Sequence, residues 1–110
     1  MAVSDRIITD AKKYIRVTST AFDAEIADLI EAAKADLLLG GIDEEKANNE
    51  DDPLVKRAIM TYIKAGFGID NPDAEKYSES YKMQKTNMML SSDYSTAETA
   101  VPFTYSSEDE

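Results

Sequence analysis

The groups that could do chemistry in this chain are carboxylates, lysines and hydroxyls, because its 110 residues include no His, no Cys and no Trp. Without His, the commonest general base and metal ligand is missing. Without Cys there is neither a disulfide framework nor a thiolate zinc site, and the count fits a reducing compartment. Carboxylates recur at helical spacing, as Asp28 with Glu31 and Glu75 with Glu79. These pairs fall on polar faces, where solvent gives no reason for a perturbed pKa. The acidic run from Asp43 to Asp52 invites a calcium loop, but that motif needs Gly at its sixth position and Asn48 stands there. Gly66-Phe67-Gly68 follows a helical pattern instead of joining a strand to a helix, so it makes no phosphate loop. Lys56-Arg57 is an isolated basic pair near a helix start, read as solvated or ion-paired. No grouping meets the geometric requirements of an active site. The expectation is a protein without catalytic residues, bound metal or cofactor.

The elements that would position any site are helices. Residues 52–72 spell one out with both ends. Asp52 is a good N-cap and Pro53 suits the first helical position. Leu54, Val55, Ala58, Ile59, Tyr62, Ile63 and Gly66 share one face. Gly66 and Gly68 offer a left-handed stop, and Asn71-Pro72 reads as the cap and first residue of the next helix. So short a connection implies packed neighbours. Upstream, Ser4 can cap a helix whose stripe is Ile7, Ile8, Ala11, Tyr14 and Ile15. Thr20 can start a second, with Phe22, Ile26, Leu29, Ile30, Ala33, Leu37 and Leu38 on one face, Glu25, Asp28, Glu31, Lys34 and Asp36 on the other, and Gly40-Gly41 at its end. In the last helix Ala74, Tyr77, Tyr81, Met88 and Met89 mark one side. The expected fold class is therefore all-α: a small four-helix domain over residues 1–90, with helices near 5–15, 21–39, 53–66 and 72–90. A flexible acidic tail is expected over residues 91–110. Leu29, Ile30, Ala33, Ile59 and Ile63 are the expected core.

The net charge of −10 is uneven. Residues 43–52 and residues 91–110 each carry −5, while the remainder is near neutral. The first segment reads as a flexible acidic connector and both read as solvated. This distribution argues against wrapping duplex DNA, which wants a basic stripe. Residues 91–110 contain no Lys or Arg and are rich in Ser and Thr, with one apolar island, Val101-Pro102-Phe103-Thr104-Tyr105. Burying Phe103 would gain about 1.5–3 kcal/mol, against roughly 1–2 kcal/mol for each backbone residue ordered. Such a tail orders only on a partner. Tyr suits an interface because its ring is apolar and its hydroxyl wet, and Met suits a surface that adapts. Tyr77, Tyr81, Met88, Met89, Phe103 and Tyr105 are accordingly the candidate subunit or partner interface. The N-terminus has no apolar run long enough for a signal peptide, and no stretch approaches a membrane span, so a soluble protein made in the cytoplasm is expected.

Three segments taken in order carry a resemblance. They are Ile8-Thr9-Asp10-Ala11-Lys12-Lys13-Tyr14-Ile15-Arg16-Val17, then Glu25-Ile26-Ala27-Asp28-Leu29-Ile30-Glu31-Ala32-Ala33-Lys34, then Asp52-Pro53-Leu54-Val55-Lys56-Arg57-Ala58-Ile59. Over residues 4 to 90 this order resembles the small head–tail connector and adaptor proteins of long-tailed phages. The resemblance implies a virion structural protein that forms a ring of roughly twelve copies, a closed heterologous assembly. It implies a place at the head–tail junction, between the portal protein and a tail-completion or stopper protein, with DNA passing through without specific binding and no membrane involved. Residues 91–110 extend beyond the shorter pattern. A competing reading from another class is a small acidic helical regulator that binds a host protein as a DNA mimic. It shares the charge and the tail but needs no surface that repeats around a ring.

Overall fold

Side-chain caps set most of the helix starts in a computed structural model that describes residues 3–68 and 71–96. Ser4 Oγ accepts from Ile7 N at 3.2 Å and opens α1, Asp5–Ile15. Ser19 Oγ accepts from Ala21 N at 3.0 Å, one residue before the expected Thr20, and starts a 3-10 turn, Thr20–Phe22, that runs into α2, Asp23–Leu39. Asp52 accepts from both Leu54 N and Val55 N and opens α4, Pro53–Gly66, with the proline where its missing N–H costs nothing. The last helix, α5, spans Ala74–Met89 and so starts two residues later than the expected Pro72. Asn71 closes the turn instead: its side-chain amide donates to Lys64 O at 2.6 Å and its Oδ1 accepts from Asp73 N at 3.1 Å. The all-α expectation is met, with one more helix than the four foreseen: the short α3, Glu44–Ala47.

The core lies where α2 and α4 face each other, with α1 and α5 against α4. Ile30, Ala33, Ile59 and Ile63 are fully buried there, as expected. Leu29 is a correction, being only half-buried. The buried stripe of α2 runs Ile26, Ile30, Ala33, Leu37 at steps of four, three and four, and Leu29 flanks it, close against Gly66 of α4. Leu54 is also a correction: at the first turn of α4 it is 49 % exposed.

The acidic connector is ordered, contrary to expectation. Lys34, expected on the solvent face of α2, is 1 % exposed and pairs with Glu50 at 2.7 Å. Glu50 also accepts from Ser4, at 2.5 Å from Oγ and 3.3 Å from N. Burial pushes the Glu50 carboxyl up, but the Lys34 ammonium and the Ser4 hydroxyl outweigh it and hold its pKa below the ordinary value. Asp51 pairs with Arg6 on the surface, and Asp43 caps α3 through Glu45 N. Segment 43–52 is thereby tied to α1, α2 and α4.

Residues 91–96, expected to belong to the flexible tail, are built into the helical unit. Asp43 N donates to Tyr94 O at 2.7 Å and Thr96 N to Gly41 O at 3.0 Å, forming an isolated antiparallel bridge between Ile42 and Ser95. Gly41 makes the turn from α2 into this bridge at φ +99°, a left-handed conformation that glycine adopts without steric cost. The Tyr94 hydroxyl donates to the Asp52 carboxylate at 3.0 Å. Residues 97–110, with Phe103 and Tyr105, lie outside the described residues.

Candidate functional site

The interface candidates on α5 divide by helix face. Tyr81 and Met88 are buried in the chain's own core, 6 % and 3 % exposed, and of the two only Met88 also lines the groove between α4 and α5 described below. Tyr77 and Met89 are half-buried. Positions 77, 81 and 88 share a face by helical period, but that face is turned toward α4. The Tyr81 ring meets the Tyr62 ring edge-on at 5.1 Å, and its hydroxyl donates to Asp36 at 2.6 Å. Lys85 donates to the same Asp36 oxygen at 2.9 Å. Burial raises the Asp36 carboxyl, yet the bonds from Tyr81 and Lys85 prevail and its pKa is lowered. Burial and the neighbouring Asp36 push the Tyr81 phenol up, so it stays a donor at all ordinary pH. This cluster joins α2 to α5. It is a structural tie.

The open apolar surface lies elsewhere. A groove of about 340 Å³ runs between the start of α4 and the end of α5, lined by Leu54, Arg57, Met83, Gln84, Asn87 and Tyr94 among others. Met83 is 67 % exposed. A second groove adjoins it along α4, sharing Arg57, Ser80 and Gln84 and adding Tyr14, Lys56, Lys64 and Tyr77. Here Lys64 Nζ sits 5.3 Å from the Tyr14 ring and 5.5 Å from the Tyr77 ring, each contact favourable by about 0.5–1 kcal/mol at an exposed site. Lys56 pairs with Asp10 at 2.7 Å, and that bond holds the Asp10 carboxyl below its ordinary pKa. Arg57 is exposed, and among the described residues no carboxylate pairs with it. In a chain of net charge −10 this α1–α4–α5 face is locally cationic beside an apolar trough.

A third exposed region lies where α2 and α5 end. Leu39 closes α2 and Leu90 follows α5, 88 % and 77 % exposed. Gly40 packs beside Met89 and Lys85, so the two helix ends are neighbours. Sequence reasoning missed Leu54, Met83, Leu39 and Leu90. Met83 carries a readable signal, an apolar residue out of phase with the Tyr77–Tyr81–Met88 stripe. Leu54 carries none, since its spacing suits the buried face and only the first-turn position exposes it.

No catalytic constellation forms among the described residues, and no group of three acidic side chains converges there to hold a metal ion. No described helix is long and apolar enough to cross a membrane. No curated protein and no solved structure matches the chain. The family described as phage connector protein matches it over residues 7–95, from the first buried residue of α1 to the bridge at Ser95. With all five α-helices inside that match but for the first two residues of α1, the chain belongs to the phage connector protein family.

Proposed function

We propose that this chain is a structural adaptor that assembles into a closed ring at the head–tail junction of a phage, between the portal protein and a tail-completion or stopper protein. The observation that carries this reading is the family match across residues 7–95. The grouping of exposed apolar side chains supports it, Leu54 with Met83 in one groove and Leu39 with Leu90 at neighbouring helix ends, since grouped apolar surface marks contact sites. Ring closure requires two different surfaces on each copy. The groove between α4 and α5 and the Leu39–Leu90 end supply two. Tyr77, Met89, Phe103 and Tyr105 remain the proposed contacting residues from the original set, while Tyr81 and Met88 shape the helix that presents them.

DNA passage through the ring fits the charge. A lumen lined by the acidic segment would repel the phosphate backbone and let it slide. The test is deletion of the gene in the parent phage, followed by electron microscopy of the lysate. Filled or abortive heads beside unjoined tails are expected. Normal infectious particles would rule the connector role out.

A further inference from the structure

We infer that the paired grooves on the α1–α4–α5 face receive the C-terminal segment, residues 97–110, of a second copy of this chain. The inference rests on the reading of the chain as a self-assembling connector and names the contact. The two surfaces match in order. From Thr96 onward the segment carries first an apolar stretch, Val101-Pro102-Phe103-Thr104-Tyr105, then a terminal acidic triplet, Glu108-Asp109-Glu110, and no base. In an extended chain Val101, Phe103 and Tyr105 alternate onto one side, and the triplet follows at about 3.3 Å per residue. The receiving face has the same two parts: an apolar trough at Leu54 and Met83, then the cations Lys56, Arg57 and Lys64. Arg57 belongs to both grooves, and neither it nor Lys64 pairs with a carboxylate among the described residues.

The exit of the chain favours a second copy over the chain's own groove. Tyr94 lines the apolar trough, but the backbone from Tyr94 to Thr96 runs antiparallel to Gly41–Asp43. It therefore leaves toward Gly41 at the end of α2, which does not line the trough. To seat Val101 in its own groove, residues 97–100 would have to turn the chain back.

The experiment is sedimentation velocity of the full-length chain over a concentration series, with two full-length variants whose helicity is checked by circular dichroism. R57E/M83D changes only exposed groove residues, and F103D changes only the segment. The unsubstituted chain should self-associate, and each variant alone should do so at least about tenfold more weakly. An equimolar mixture of the two should recover a one-to-one pair, because the R57E/M83D copy still offers its segment and the F103D copy its groove. Association of either variant at the unsubstituted level overturns the inference. So does a mixture that recovers nothing, which would assign the groove to the chain's own segment, and so does an unsubstituted chain that stays monomeric. Rings formed equally by R57E/M83D and the unsubstituted chain would remove this contact and leave the connector role standing, whereas normal particles after gene deletion would remove the connector role itself.

Discussion

Replacing Glu50 with Ala tests whether segment 43–52 is held by charge buried beneath it. The Lys34 ammonium is 1 % exposed and its Glu50 partner side chain 11 %, at 2.7 Å. Removing one member of a buried pair typically costs about 3–5 kcal/mol, because the other charge keeps its desolvation cost without its partner. The lower end, about 3 kcal/mol, applies because Lys34 keeps a further interaction of its own. Ser4 also loses its acceptor, which loosens the start of α1. With a urea slope of about 2 kcal/mol/M for a domain of this size, the unfolding midpoint should fall by roughly 1.5 M. The double variant K34M/E50L should recover most of that loss, since well-packed apolar side chains avoid the desolvation penalty. The pH profile adds a second reading. The Glu50 pKa is depressed on folding, so its contribution is complete above the unfolded value of 4.5 and fades as the pH falls through the folded one. Glu50→Gln should flatten that acid limb. A Glu50→Ala change within about 0.5 kcal/mol of the unsubstituted chain, the range of ordinary surface substitutions, would refute a buried tie at this position.

Three further outcomes are expected. Ile30→Ala should cost about 2–5 kcal/mol in chemical denaturation and Leu29→Ala clearly less, because only Ile30 is fully enclosed. Tyr81→Phe should cost about 1.5–3 kcal/mol, the range for a hydrogen bond to a charged group, read from the thermal unfolding midpoint. Gly41→Ala should destabilise by about 1–2 kcal/mol, since φ +99° strains any side chain, and hydrogen exchange should quicken at Asp43 and Thr96, the amides of the bridge it supports.

Local signals in the sequence were legible wherever a residue and its neighbours within one turn decide the outcome. Asp52-Pro53 and Ser4 cap the helices they were expected to cap, because a cap bonds amides two or three positions away. The aliphatic stripes of α2 and α4 gave Ile30, Ala33, Ile59 and Ile63 correctly. Lys34 was illegible: its place among acids reads as a solvent face, and only a segment arriving from 16 residues away covers it. Tyr81 looked like an interface residue because its partner, Asp36, lies 45 positions away. Residues 91–96 look polar and loose, and their backbone bonds to Gly41 and Asp43 leave no trace in side-chain composition. The family match reached further than these local rules because ordered spacing across several helices records which segments meet.

The short stretch from Gly41 to Asp52 fastens both ends of the described chain. Ser4 is hooked to Glu50, while Tyr94 to Thr96 are laced to Gly41, Asp43 and Asp52. It works as a buckle, closing contacts 42 and 46 residues apart in sequence. A single protease cut inside it would slacken the start of α1 and the exit of the C-terminal segment together. If the segment docks on a second copy as inferred, tension on it would bear on the backbone hydrogen bonds at Gly41 and Asp43 and on the Tyr94–Asp52 bond.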